Sequence, residues 1–320
     1  RDAQESRGLG DVYKRQGQLV EQCKKVGLDF AILTDHNYNS IEKSYFDGDL
    51  LVMQGQEITG EPGHINVWGK KVPLDPPYIL ETETDYQTIL SACRKAGATI
   101  SVNHPFCSNC GFHMDLDAFD FDCVEVWNTI QHSDNIKNMD WWEGQLLKGN
   151  HLAAVGGSDF HKDYALVLKL LANPTTITHA KSKSEADILA ALCEGRSVVT
   201  NKPDTSMIYL SCGDAGLGDT VEWKPGVKAN IEITKFRKGH TLRIYNNEKV
   251  IYTLKNDKNA DIFRTDFEVP EPGYIRAEIL YTFNPVFKKL YQTVECKFLH
   301  AEIADLPPFF WAFTNPIWFE

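Results

Sequence analysis

Short apolar runs alternate with amphipathic stretches as far as about residue 204. The apolar runs are rich in β-branched side chains, as buried strands are, and they cover 30–33, 50–53, 64–68, 99–102, 123–127, 153–155 and 176–178. Between them, apolar residues recur on one helical face at 18–26, 85–96, 135–148 and 184–194. Strands that alternate with helices predict a parallel α/β barrel or sheet.

The pattern changes near residue 205, where short segments with a two-residue alternation follow one another. They cover 207–212, 228–235, 241–245, 249–254, 262–269 and 273–281. Turn-forming residues such as Asn246 and Asn247 separate them. This texture predicts an antiparallel β-sandwich. We therefore expect an α/β barrel over 17–204 and a β-sandwich accessory domain over 205–320.

Residues 1–16 differ from both parts because they show no apolar periodicity. The string at 11–16 is similar to one that recurs as an artefact of sequence assembly. We interpret 1–16 as a non-native or disordered leader.

Composition narrows the class of protein. The chain has 320 residues, of which 42% are hydrophobic, and a formal net charge of −11. That charge argues against general nucleic-acid binding and against a membrane surface, because phosphates would be repelled. The sequence contains no apolar run of about 18 residues, so we predict no membrane-spanning helix. The cysteines lie mostly in apolar or helical patterns, as buried thiols do, which slightly favours the cytoplasm.

Histidines and carboxylates follow several of the apolar runs. These residues are Asp35, His36, Glu57, His64, His104, Asp159 and His161. Taken singly, each is more commonly an ordinary loop or strand residue. Because barrel strands gather the residues at their ends around one site, we expect the group to converge. Imidazole and carboxylate are ligands of Zn, Mn and Fe, so the chain is predicted to be a metal-dependent hydrolase.

Local sequence adds detail at three of these positions. Pro105 is expected to hold His104 in an extended conformation, and Gly63 would let the backbone approach closely before His64. Asp159 and His161 would face the same side of an extended segment. Cys107 and Cys110 follow His104 as a Cys-X-X-Cys pair, which is compatible with a zinc or redox site and equally with a plain loop near the pocket mouth.

The motifs together resemble those of the polymerase and histidinol phosphatase (PHP) superfamily, and within it the CehA/McbA-type metallohydrolases. The similarity spans about 17–320 and rests on Thr34-Asp35-His36-Asn37, Glu57, Gly63-His64-Ile65-Asn66, Asn103-His104-Pro105, Glu125-Val126-Trp127-Asn128, Gly157-Ser158-Asp159-Phe160-His161, Gly195-Arg196-Ser197 and Thr314-Asn315-Pro316-Ile317.

The resemblance implies a distorted, TIM-like (β/α)7 barrel with two or three divalent metal ions. By motif, Glu57 would bridge metals, Asp159 would bind the first and His104, with His64, the second. His36 and His161 would bind the third. His104, Asp159 and His161 are the implied catalytic residues. Residues expected to orient these ligands or to contact substrate are Asp35, Asn103, Glu125, Asn128 and Arg196.

One departure from the family concerns its opening His-X-His pair, because no histidine precedes His36. The first metal would then keep Glu57 and Asp159 alone, and we expect it to bind weakly. The favoured function is hydrolysis of a small anionic phosphomono- or diester by metal-bound hydroxide. Two alternatives stay open: hydrolysis of a carbamate or carboxylic ester at the same site, and a degenerate, non-catalytic metal- or glycan-binding protein.

Overall fold

The fold is mostly β, because the described residues form eighteen strands and only four α-helices. The computed structural model describes residues 9–161, 170–282, 284–286, 288–289, 293 and 309–320. Within these residues there are four α-helices, α1 (Leu9–Lys25), α2 (Glu83–Lys95), α3 (Ser133–Leu147) and α4 (Glu185–Cys193). A single 3-10 turn lies at Leu116–Ala118.

The strands fall into two groups along the chain. The first group contains β1 (Phe30–Leu33), β2 (Tyr45–Asp47), β3 (Leu50–Gly60), β4 (Gly63–Trp68), β5 (Thr99–Val102), β6 (Cys123–Asn128) and β7 (Ala153–Gly157). The second contains β8 (Thr175–Thr178), β9 (Ser197–Thr200), β10 (Met207–Ser211), β11 (Thr220–Val221), β12 (Lys228–Phe236), β13 (His240–Asn246), β14 (Lys249–Lys255), β15 (Ala260–Glu268), β16 (Gly273–Tyr281), β17 (Phe309–Thr314) and β18 (Ile317–Phe319).

The first group forms one curled, seven-stranded sheet that resembles half of a barrel. Its order is β1-β3-β4-β5-β6-β7, with β2 beside β3. The β1–β3, β5–β6 and β6–β7 pairs are parallel, whereas β3–β4 and β4–β5 are antiparallel. The predicted (β/α)7 or TIM-like barrel is therefore wrong.

The reason lies in the connections between strands. Glu61 and Pro62 alone join β3 to β4, and Gly60 pairs with Gly63 across this tight turn. A two-residue connection makes a hairpin, whereas a parallel crossover needs a dozen or more residues. The short strand β2 stands between β1 and β3, where a barrel would need a helix. Apolar runs revealed the strands but not how they were joined.

The second group forms two further sheets around a shared core. One has three strands in the order β10-β12-β15, and the other has eight, including β13, β14, β16 and β17. Ile208, Ile231, Ile244 and Ile279, contributed by both sheets, are fully buried in that core. The eight-stranded sheet also contains β8 and β9, which precede the predicted boundary at residue 204. Hydrogen bonds such as those between β9 and β17 therefore join residues from both sides of that boundary. The proposed domain division and the leader stay predictions, although α1 includes residues 9–16.

One edge of the curled sheet carries the residues of interest. This edge is formed by the carboxyl ends of β1, β5, β6 and β7 and by the β3–β4 hairpin. Two backbone hydrogen bonds hold these segments together there: the N–H of Asn103 donates to the carbonyl of His64, and the N–H of Asn37 donates to the carbonyl of Glu57. Helix α2 packs Tyr86, Ile89 and Leu90 into the core below this edge. A capping box between Thr82 and Asp85 fixes where α2 begins. The strand ends that carry the predicted site residues thus meet at one edge of the curled sheet, although the sheet does not close into a barrel.

Candidate metal centre

Glu57 is the centre of the histidine cluster. It lies inside β3 rather than after it, and 5% of its surface is exposed. Its Oε2 lies 2.9 Å from His36 Nδ1, and its Oε1 lies 3.2 Å from His64 Nδ1 and 3.7 Å from His104 Nε2. Asn103 also donates its amide to Oε1 at 2.8 Å. Three imidazoles from separate strand ends therefore share one buried carboxylate.

The local electrostatics follow from this arrangement. Burial by itself would raise the pKa of Glu57, but hydrogen bonds with His104, His36 and His64 outweigh it and hold the pKa far below its usual range. Burial by itself would lower the pKa of His104, but the carboxylate of Glu57 and the charges of Glu125 and Asp159 raise it to about 9. The site thus favours positive charge beside Glu57.

His36 joins this group to the end of β7. A parallel bridge pairs the His36 backbone with that of Glu57. The Nδ1 atom of His36 lies 2.6 Å from the hydroxyl of Thr59, and its Nε2 lies 3.3 Å from Nε2 of His161. Thr59 was not predicted from sequence. Its spacing of two residues from Glu57 along β3, which places both on one face, was the available signal.

Asp159 and His161 lie at the solvent side of the cluster. His161 Nδ1 is 3.4 Å from Asp159 Oδ1, and the two side chains are 53% and 37% exposed. Asp159 has a φ of 44°, so the segment is not the extended one that was predicted. The two side chains meet each other instead of standing in parallel.

Left-handed backbone recurs around the cluster. Asn37, His104 and Asp159 have φ values of 51°, 28° and 44° at the ends of three strands. The expectation that Pro105 keeps His104 extended is therefore wrong. The close approach at Gly63 is confirmed, because a Cβ there would come within 2.3 Å of Phe112. Non-glycine residues in this region of φ are strained, and such strain clusters at functional sites.

Glu125 and Asn128 form a second buried carboxyl group near His104. Asn128 donates its amide to Glu125 Oε2 at 3.1 Å. Burial, aided by the charges of Asp159 and Glu57 and opposed by that of His104, raises the pKa of Glu125 to about 8. The side chain packs against Gly157, where a Cβ would lie 2.7 Å from Glu125 Oε1. Glu125 therefore holds a proton at neutral pH.

Cys110 lies on the other side of His104. Its Sγ is 3.7 Å from His104 Nδ1 and 2.8 Å from Cys107 Sγ, and both thiols are free. Among the described residues, two groups are arranged so that they could hold a metal ion, His36–Glu57–His64 and His64–His104–Cys110. The Cys-X-X-Cys spacing after His104 was the sequence signal for the sulfur.

Two predicted residues have other partners. The carboxylate of Asp35 accepts a hydrogen bond from the hydroxyl of Ser40. Arg196 pairs with Glu194 at 2.6 Å and with Asp219 at 2.8 Å. Within the described part of the chain, no contact joins Arg196 to the histidine cluster, so its charge is already balanced elsewhere.

The residues present fit a divalent cation. Imidazole, carboxylate and thiol donors face one another, and the ion pairs of Glu57 in the described residues are all with histidines. Asn103 Oδ1 is buried beside them without a hydrogen-bond partner in the described structure. Comparisons of the chain with family models, curated proteins and solved structures found no match. In the part of the chain described, no helix is both long and apolar enough to cross a membrane.

Proposed function

We propose that this chain is a metal-dependent hydrolase that acts on a small anionic ester, with phosphomono- or diesters as the favoured class. The observation that carries the proposal is the engagement of both Glu57 oxygens by imidazoles from different strand ends, at 2.9 Å from His36 and 3.2 Å from His64. Motif resemblance to the PHP superfamily supports the same reading, although the seven-stranded sheet is not that family's barrel.

The donor set supports two or three ions of the Zn, Mn or Fe type. Glu57 would be shared by neighbouring ions, and His64 would bind one of them. His36 and His161 would hold a further ion through their Nε2 atoms, which lie 3.3 Å apart. Ligands of a tetrahedral ion at about 2.0–2.1 Å lie about 3.3–3.4 Å from each other, which this pair matches. Asp159 and His104 complete the set. A divalent cation bound there would act as a Lewis acid and lower the pKa of a water molecule from roughly 15.7 to 7.

The protein's own groups would then orient the reaction. Thr59 contacts the Nδ1 side of His36, and the Nε2 side faces Nε2 of His161. The pKa of Glu125 is raised to about 8 by burial, and its Oε2 accepts a hydrogen bond from Asn128. Such a carboxyl group suits protonation of a departing alkoxide. The negative net charge of −11 makes a local cationic site the natural attractor of an anionic substrate.

The test is hydrolysis of nitrophenyl phosphomonoester, phosphodiester and carbamate substrates by the purified chain. We expect phosphoester turnover that a chelator abolishes and Zn²⁺ or Mn²⁺ restores. Glu57→Gln should abolish it, whereas Glu61→Gln, an exposed residue of the adjacent turn, should not. Turnover that survives chelation or Glu57→Gln would contradict the proposal. Carbamate turnover alone would favour the ester alternative, and bound metal without turnover would favour a non-catalytic protein.

A further inference from the structure

The loop after β5 brings two thiols against the histidine cluster. Cys107 and Cys110 are both partly exposed, and their sulfur atoms lie 2.8 Å apart without being bonded. His104 lies between Cys110 and Glu57, with 4% of its surface exposed. Its Nδ1 faces Cys110 Sγ at 3.7 Å, and its Nε2 faces Glu57 Oε1 at 3.7 Å. His104 therefore directs one ring nitrogen towards the Cys110 thiol and the other towards the Glu57 carboxylate.

The spacing on the sulfur side matches metal coordination. A nitrogen at about 2.0–2.1 Å and a sulfur at about 2.3 Å from a tetrahedral zinc ion lie about 3.5–3.6 Å from each other. The separation of 3.7 Å between His104 Nδ1 and Cys110 Sγ is close to that distance. His64 adds a third donor, because one ligand atom from each of the three residues lies within 4.8 Å of the others.

We propose that His64, His104 and Cys110 form a thiolate-containing cation site at the edge of the Glu57 cluster, selective for zinc-like, sulfur-tolerant metals. Three protein ligands leave a fourth position open, as catalytic zinc sites do. Thiolate selects zinc over Mg²⁺ and Ca²⁺, which prefer oxygen. The inference rests on the proposed function, because it extends the same cation-binding edge, but it does not depend on which ester is hydrolysed.

Cys107 is the matched control within the same loop. It lies beside Cys110 but does not belong to the three-residue group. When Cys110 binds a cation, its thiol loses a proton to solvent and forms the metal–sulfur bond, with no change in oxidation state.

The experiment is a Co²⁺ titration of the metal-free full chain, monitored by the sulfur-to-cobalt charge-transfer absorption in the near ultraviolet. We expect this absorption in the wild type, its loss in Cys110→Ser and its retention in Cys107→Ser. Absorption that persists in Cys110→Ser, or that disappears equally in Cys107→Ser, would overturn the assignment. Circular dichroism confirms that each variant is folded.

A second measurement needs no variant. Zn²⁺ should slow alkylation of Cys110 by iodoacetamide, read by peptide mass spectrometry, more than it slows alkylation of Cys107. Equal rates with and without Zn²⁺ at Cys110 would contradict the proposal. Metal-dependent esterase activity without the cobalt–sulfur absorption would refute this inference alone. The absorption without any esterase activity would refute the proposed function alone.

Discussion

Two buried carboxylates in this protein meet the same electrostatic requirement in different ways. Glu278 on β16 faces Arg276, which is 1% exposed and donates to it at 3.1 Å. Arg276 also pairs with Glu143 of α3 and lies 4.0 Å over the ring of Tyr245. Glu57 has no such fixed cation in the described structure, and its partners are imidazoles.

The difference teaches what each region is suited for. An arginine is always charged and is attached to the chain, so the Arg276 cluster needs no added ion to balance Glu278, and it ties β16 to α3. Imidazoles are neutral when they act as ligands, so the charge of Glu57 can be balanced by an ion that comes and goes. The first arrangement is structural, and the second leaves room for chemistry.

The largest expected effect comes from breaking the fixed cluster. Arg276→Met removes the buried cation shared by Glu278 and Glu143 and leaves Glu278 with the partly exposed Arg243 at 3.8 Å. We expect a loss of about 3–5 kcal/mol in the free energy of unfolding. Urea denaturation measures it. Arg264→Met is the control, since Arg264 pairs with Glu232 while 62% exposed and should cost about 0–1 kcal/mol. Equal losses in the two variants would remove the distinction between a buried and a surface pair.

A second prediction concerns a buried histidine that has no carboxylate like Glu57. His240 is 2% exposed, and burial, with the nearby charge of Arg237, lowers its pKa from 6.5 to about 4. Its Nδ1 accepts the backbone N–H of Arg237 at 3.3 Å. Between these pH values the unfolded chain binds a proton that the folded chain does not. Stability should therefore fall as pH drops from about 6.5 to about 4, by roughly 3 kcal/mol from this group.

His240→Phe and His240→Gln share the loss of the titrating ring and should both flatten this pH dependence in thermal or urea unfolding. Each should lower stability at pH 7 by about 1 kcal/mol, because the acceptor for the backbone N–H of Arg237 is changed. The contribution of His104 to stability depends on pH in the opposite direction, since the pKa of His104 is raised to about 9. Its stabilisation is full below about 6.5 and is lost as pH rises through about 9. An unchanged acid slope in both variants would refute the role of His240.

The sequence predicted strands far better than it predicted their connections. Phe30–Leu33 and Thr99–Val102 were expected and are found, because short runs rich in apolar and β-branched residues favour strands. The run at 50–53 was expected to end before Glu57, yet β3 continues to Gly60. Gln54, Gln56 and Glu57 are buried there and make polar contacts. A pattern of apolar residues cannot predict buried polar positions of this kind.

The candidate site was predictable by residue type but not by geometry. His36, His64 and His104 meet around Glu57 as expected, although the barrel that was to gather them is absent. Edge convergence is enough, and a curled sheet provides it. The fate of Arg196 was beyond the sequence, because its partner Asp219 lies in the loop before β11 and reaches it only through tertiary packing.

A third prediction tests the exchangeable cluster. Zn²⁺ at about 100 times its dissociation constant should stabilise the wild type by about 2.7 kcal/mol, since it binds the folded chain. Glu57→Gln should lose most of this gain, measured by thermal unfolding with and without Zn²⁺, because a neutral amide cannot balance the ion. Arg276→Met should keep the gain although it starts from a lower stability. A zinc-induced shift of full size in Glu57→Gln would show that the ion binds elsewhere.

The smallest expected effect concerns Thr59, whose hydroxyl lies 2.6 Å from His36 Nδ1. Thr59→Val keeps the shape of the side chain but removes the contact that fixes the imidazole, so we expect Zn²⁺ affinity to fall about 10-fold in calorimetric titration. Thr59→Ser keeps the hydroxyl and should bind as the wild type does. At Glu278 the hydroxyl of Tyr245 donates to Oε1 at 2.7 Å, so there the hydroxyl contacts the carboxylate itself and not its cation. Equal zinc affinity in the valine and serine variants would mean that Glu57 alone orients His36, and that one carboxylate both holds the ring and meets the ion.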